Sequence, residues 1–94
     1  MRTIEIETKP NGYQSSWLII GPVENGKVIK KGYPHQSKQL TVQREFSGRN
    51  ASQRIFWRIA VPDGYKWGIA IESNEPRGVG SSRSHEILYQ PGQD

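Results

Sequence analysis

Apolar and polar positions alternate along most of this chain with a period of two residues. Between Arg2 and Thr8, two isoleucines fall on one side and two glutamates on the other. Successive side chains of a β-strand point to opposite faces of a sheet, so this pattern predicts a half-buried strand. The stretch from Ser37 to Phe46 alternates in the same way and predicts another strand. Its inward positions are Leu40, Val42 and Phe46, and its outward positions are Thr41, Gln43 and Glu45.

The segment from Tyr13 to Val23 is apolar on both faces, which predicts a central strand or one covered on two sides. Asn25-Gly26 follows and predicts a type I′ hairpin turn, because both central residues of that turn need positive φ. The returning strand would run from Lys27 to Tyr33. A two-residue loop places Glu24 opposite Lys27 and Val23 opposite Val28, so charges and apolar groups both pair favourably.

Residues 54–73, RIFWRIAVPDGYKWGIAIES, contain two alternating runs that meet at Pro62-Asp63-Gly64. A three-residue loop would collect the apolar side chains of both runs on one face of a hairpin. The expected pairs are Val61 with Tyr65, Ile59 with Trp67, Trp57 with Ile69, and Ile55 with Ile71. The loop chemistry agrees, because glycine suits the left-handed position that closes such a loop. We therefore predict a β-hairpin with Gly64 at positive φ.

Composition favours the same fold class. Isoleucine and valine number 15, against 6 for leucine and alanine together, and β-branched residues favour strands. A short last strand is expected from His85 to Gln90, after a mobile loop over about 74–84 and before a frayed tail at 91–94. The prediction is a single all-β domain over residues 1–94. It would be a small antiparallel sandwich or partly closed barrel of six to seven strands, with no helix beyond a turn or two.

The charge and cysteine content bear on the binding partners and the cellular compartment that can be expected for this chain. Thirteen lysines and arginines oppose nine acidic residues, which gives a net charge of +4. This modest excess attracts phosphate-rich partners only weakly. The chain has no cysteine, which removes disulfides and thiolate metal sites and suits a reducing cytoplasm. Neither a signal peptide nor a membrane-spanning segment is evident, so we expect a cytoplasmic protein.

Catalytic chemistry has little support in the sequence. His35 and His85 are expected at the surface near strand ends, and Glu5 and Glu7 on an exposed strand face. No nucleophile set, zinc ligand spacing or phosphate loop is present, so we expect neither an enzyme nor a cofactor or metal. Trp57 and Trp67 are expected in the core.

The outer face of the expected hairpin is the candidate binding surface. Arg54, Phe56, Arg58 and Lys66 would surround one aromatic ring with cations, and Arg77 and Arg83 of the long loop would lie nearby. The leading hypothesis is a non-catalytic module that binds a protein partner or its own copies, because sheet edges and an outward phenylalanine favour protein contact. The alternative is binding of single-stranded RNA or DNA on this face, where bases stack on aromatic rings. Carbohydrate binding is the third hypothesis.

Overall fold

The computed structural model describes residues 1–8, 16–31, 35–48, 54–74 and 83–92. The strands in these ranges are β1 (Arg2–Thr8), β2 (Ser16–Gly21), β3 (Val23–Glu24), β4 (Lys27–Val28), β5 (Thr41–Ser47), β6 (Arg54–Val61), β7 (Gly68–Asn74) and β8 (Arg83–Tyr89). A single helical turn, α1 (His35–Lys38), precedes β5. All strand pairs are antiparallel, which confirms the all-β prediction. No helix in the described ranges has the length and apolar character that a membrane crossing needs.

The six longer strands form two three-stranded sheets. The first sheet has the order β1-β6-β5 and the second sheet has the order β2-β7-β8, so β6 and β7 are the central strands. The short strands β3 and β4 form a separate hairpin. Its turn is as predicted, with Asn25 at φ 52° and Gly26 at φ 74°. Its pairs are also as predicted, Val23 with Val28 and Glu24 with Lys27.

The main core lies between the two sheets. Every second residue of β6 is buried, and these side chains meet the buried residues of β7 and two tyrosines. The contributing side chains are Ile55, Trp57, Ile59, Val61, Tyr65, Ile69, Ile71 and Tyr89. The two sheets therefore pack face to face as a sandwich, with the inner faces supplied by alternate residues of each strand.

A smaller apolar layer covers the opposite face of the second sheet. Ala70 of β7 and Ile19 of β2 pack there against Val28 of the β3–β4 hairpin. Gly21 and Gly68, which are paired across β2 and β7, have no space for a Cβ atom. A Cβ at Gly68 would lie 2.6 Å from the Val23 side chain, so the hairpin rests directly on this glycine. The expectation that the second strand is covered on two sides is confirmed.

The predicted pairing of residues 54–61 with 65–71 is wrong. β6 pairs with β1 and β5, whereas β7 pairs with β2 and β8. The turn itself is present, because the Tyr65 amide donates a hydrogen bond to the Pro62 carbonyl at 3.2 Å and Gly64 has φ 75°. This turn carries the chain from one sheet to the other. The alternation of apolar and polar residues cannot distinguish a hairpin within one sheet from two strands in facing sheets. In both arrangements the same apolar side chains of the two strands are buried.

Several strand limits differ from the prediction. Residues 35–38 form the helical turn, so the strand begins at Thr41, and both Val42 and Phe46 on its inner side are exposed. Within the described residues 27–31 of the expected returning strand, Lys27–Val28 form the strand pair, and the Ile29 amide donates a hydrogen bond to the Pro22 carbonyl at 2.8 Å. The last strand begins at Arg83 and so takes up the end of the expected loop. Most of that loop and residues 93–94 of the tail lie outside the described residues.

Candidate functional site

β5 is the most exposed strand of the described structure. It lies at the edge of the first sheet, paired with β6 on one side only, and all seven of its residues are exposed. Phe46 is 54% exposed and Val42 is 38% exposed. The backbone donors and acceptors on the outer side of such an edge are available to another chain.

The inner side of β5 continues the apolar face of β6. Val42 lies opposite Ile59, Arg44 opposite Trp57, and Phe46 opposite Ile55. The β6 residues are buried, whereas their β5 neighbours are exposed, so the buried core ends at β6 on this side of the sheet. Valine and phenylalanine at spacing i and i+4 of a strand share one face, so they form an exposed apolar strip with a cation at its centre.

A cleft of about 590 Å³ opens along this strip. Trp17 and Leu18 of β2 line one wall, and Val42 and Arg44 of β5 line the other, with Trp57 between them. β2 and β5 are edge strands of different sheets, so the described part of the sandwich is open on this side. Concave sites that combine apolar walls with polar groups are typical of ligand and peptide binding.

Arg44 is held by two aromatic rings. Its guanidinium carbon lies 5.0 Å from the centroid of the Phe46 ring and 5.6 Å from that of Trp57. Cations are attracted to the negative faces of such rings, and this attraction limits the orientations that the side chain adopts. Within the described residues Arg44 forms no ion pair with a carboxylate. The cleft therefore contains an oriented cation whose N–H groups are available to an anion.

Sequence reasoning missed Arg44, although the signal was present. The alternation of Leu40, Val42 and Phe46 places residue 44 on the same face. A charged residue on the apolar face of a strand indicates one of two arrangements. Either the charge is buried beside a partner of opposite charge, or that face of the strand is exposed to solvent. The structure shows an uncovered face.

Three of the sequence-predicted site residues do share a surface. Arg54, Phe56 and Arg58 lie on the outer face of β6, but their neighbours are acidic. Arg54 pairs with Glu7 at 3.3 Å and Arg58 pairs with Glu5 at 3.5 Å. Phe56 is half-buried, and it lies opposite Glu7 on β1 and opposite Glu45 on β5.

The other predicted site residues lie elsewhere. Lys66 is exposed in the connection between β6 and β7, so it is not part of the outer face of β6. Arg83 begins β8 in the second sheet. Arg77 lies outside the described residues. The described part of the predicted surface is thus a balanced charge network rather than a cluster of free cations.

His85 differs from the expected surface histidine, since its side chain is 11% exposed. Its Nε2 accepts a hydrogen bond from the Val28 amide at 3.2 Å, and its Nδ1 lies 3.3 Å from the Glu72 carboxylate. An amide can only donate, so the ring proton lies on Nδ1 and is donated to Glu72. This pair joins β8, β7 and the β3–β4 hairpin.

Two tyrosines lie deep in the main core. The Tyr89 hydroxyl donates a hydrogen bond to the Tyr65 carbonyl at 3.1 Å. The Tyr65 hydroxyl is buried and has no partner among the described residues. Burial, with a smaller contribution from Tyr89, raises the pKa of Tyr65 from 10.0 to about 12.

Among the described residues, the tryptophans and acidic groups form no second candidate site. Trp57 is 2% exposed and Trp67 packs against the core, as expected. Within the described ranges, no three histidine or carboxylate side chains lie close enough together to hold a metal ion.

Comparisons of the chain with protein-family models, with curated proteins and with solved structures found no match.

Proposed function

We propose that this protein is a non-catalytic binding module that acts through protein–protein contact at the β5 edge. The observation that supports the proposal most strongly is the exposure of all seven residues of an edge strand, including a phenylalanine. An extended partner segment can add to such an edge as a further strand. Main-chain hydrogen bonds then supply affinity, and alternate side chains supply specificity.

The cleft beside β5 supports this mode of binding. A strand added to the outer side of β5 would direct alternate side chains toward the cleft wall formed by Trp17 and Leu18 of β2. Those side chains would cover the apolar strip of Val42 and Phe46. Large exposed apolar groups on a small protein often mark an interaction surface.

Nucleic-acid binding on the outer face of β6 receives less support. Arg54 and Arg58 already pair with Glu7 and Glu5, and a third glutamate, Glu45, lies opposite Phe56. A phosphate backbone would approach three carboxylates and two paired guanidinium groups there. Carbohydrate binding receives less support as well, because the Trp57 ring is almost fully buried.

Selection of peptides from a random display library tests the proposal. Selected peptides are titrated into ¹⁵N-labelled protein, and the amide shifts are assigned. We expect the largest amide shifts on β5. Phe46→Ser should weaken peptide binding by about tenfold or more, because the loss of one well-packed aromatic side chain from an interface has an effect of that size.

Phe56→Ser is the matched control, because it removes the same side chain from the outer face of the first sheet. It should leave peptide affinity within about twofold, since an added strand at β5 does not touch that ring. Two results would contradict the proposal. One is that the largest shifts fall on the amides of β8 or of the outward-facing residues of β6, and the other is that Phe56→Ser weakens peptide binding more than Phe46→Ser does. Sedimentation velocity of the wild type then shows whether the protein self-associates.

A further inference from the structure

We infer that the β5 edge selects an acidic partner strand, with one Asp or Glu opposite Arg44 and apolar residues two positions before and after it. The inference rests on the proposed function and specifies the partner of the same site. It depends on the placement of Arg44 between Val42 and Phe46 on the inner side of the strand.

Arg44 provides the electrostatic part of this selection. The rings of Phe46 and Trp57 orient the guanidinium group, and no described carboxylate neutralises it. Directly opposed residues of antiparallel strands have Cβ atoms about 4.5–5.5 Å apart, so a carboxylate opposite Arg44 is within hydrogen-bonding reach. Arginine binds carboxylates through paired, charge-assisted hydrogen bonds that are stronger than neutral ones.

The neighbouring positions provide the apolar part. In an antiparallel partner, the residues two before and two after the acid lie opposite Phe46 and Val42. Both of these side chains are exposed in the described structure and would be covered by apolar partners. The predicted recognition sequence is therefore apolar-x-acidic-x-apolar, where x positions face away from the cleft.

A second copy of this chain fits the edge less well. Symmetric antiparallel pairing of two β5 strands about residue 44 gives every residue of the strand a partner, but it places Arg44 opposite Arg44. Moving the symmetry centre by one residue to Glu45 places two glutamates opposite each other, and moving it to Gln43 places Arg44 opposite Val42, so neither register gives Arg44 an opposed carboxylate. Like charges at directly opposed positions destabilise a strand pair. Charge complementarity therefore favours a different, acidic strand over a second copy of this chain.

Three synthetic peptides test the inference on the wild-type protein. The probe is acetyl-Ser-Thr-Val-Thr-Glu-Thr-Val-Thr-Ser-amide, and its two variants replace the central Glu by Gln or by Lys. Affinities are measured by amide-shift titration at low and at physiological salt. We expect the Glu peptide to bind at least about tenfold more tightly than the Gln peptide, and the Lys peptide to bind weakest.

Substitutions that change the charge of residue 44 provide a second test with the same three peptides. Arg44→Glu should invert the order, so that the Lys peptide binds most tightly, whereas Arg44→Lys should keep the original order with a smaller ratio. Arg54→Glu is the matched control, because it makes the same charge change on the opposite face of the sheet. It should leave the order of the three peptides unchanged. Dispersed amide spectra of each variant establish that it is folded.

The outcomes separate the inference from the proposed function. Equal affinities for the Glu and Gln peptides, with shifts on β5, would overturn the acidic selection and leave strand addition standing. No β5 shifts with any peptide at millimolar concentration would overturn both. A single-stranded oligonucleotide provides the last comparison. If it shifts the Arg44 and Phe46 amides and the peptides do not, the assignment of a peptide partner is overturned.

Discussion

The amide of Val28 donates a hydrogen bond to Nε2 of His85, and this contact fixes the β3–β4 hairpin to the second sheet. We predict that His85→Leu destabilises the protein by about 1–3 kcal/mol, because it leaves the Val28 amide and the Glu72 carboxylate without this partner. Urea denaturation measures the change. His35→Leu serves as the control, since His35 is exposed in α1, and it should shift the free energy of unfolding by less than about 0.5 kcal/mol. Equal effects of the two substitutions would mean that the His85 contact contributes nothing.

The raised pKa of Tyr65 predicts a loss of stability at alkaline pH. In the unfolded chain the phenol ionises near its ordinary pKa of 10.0, and in the folded protein near 12. The stability linked to the neutral phenol is therefore complete below pH 10.0 and is lost as the pH rises toward about 12. Tyr65→Phe should remove this part of the pH dependence and leave stability at pH 7 unchanged or slightly higher, because the buried hydroxyl has no partner among the described residues.

Tyr89→Phe is the comparison for that experiment. It removes the hydrogen bond to the Tyr65 carbonyl, so it should cost about 0.5–1.5 kcal/mol at pH 7. Thermal denaturation from pH 7 to 11 measures both variants. A wild type and a Tyr65→Phe protein with the same alkaline dependence would contradict the assignment of this effect to Tyr65.

The contact between Gly68 and Val23 predicts a specific coupling. Gly68→Ala places a methyl group 2.6 Å from the Val23 side chain and should cost about 1–3 kcal/mol by overpacking. Val23→Ala removes the nearest obstructing methyl group and leaves the Val28 methyl group at 3.0 Å. The double variant should therefore be less destabilised than the sum of the two single variants, as a double-mutant cycle in urea shows. Additive effects would mean that the cost of Gly68→Ala does not come from the contact with Val23.

Gly64 tests the turn between the two sheets. Its φ of 75° lies in the left-handed region, and a Cβ there would meet no atom within 4 Å. Backbone strain is thus the main penalty, and Gly64→Val should destabilise by at least about 1 kcal/mol. Gly64→Asn should cost less, because asparagine tolerates this region. Denaturation midpoints that do not distinguish the two variants would contradict the strain argument.

The charge balance of the outer face of the first sheet predicts weak oligonucleotide binding. We expect fluorescence anisotropy at physiological salt to show no affinity beyond that of a generic basic surface, since Arg54 and Arg58 are paired with glutamates. If tight binding is observed and Phe56→Ala abolishes it, the nucleic-acid hypothesis would replace the protein-contact proposal.

The sequence by itself determined the local structure. The alternation of Arg2–Thr8 and Arg54–Val61 predicted strands that the structure contains with the expected buried faces. Asn25-Gly26 and Gly64 predicted positive φ correctly, because these conformations depend on residues a few positions apart. The predicted site was recovered only in part. Arg54, Phe56 and Arg58 share a face, as alternation requires, but alternation does not show that Glu5, Glu7 and Glu45 lie beside them.

Only the tertiary structure decided which strands pair and which face stays open. Alternation shows that Ile55, Trp57 and Ile69 are buried, but it does not show whether a neighbouring strand or a facing sheet buries them. The position of β5 at an edge, with Arg44 uncovered, and the contact of His85 with Val28 depend on residues that are far apart in the chain. Non-local pairing is selected by the combined burial of all strands, so no short stretch of the sequence contains it.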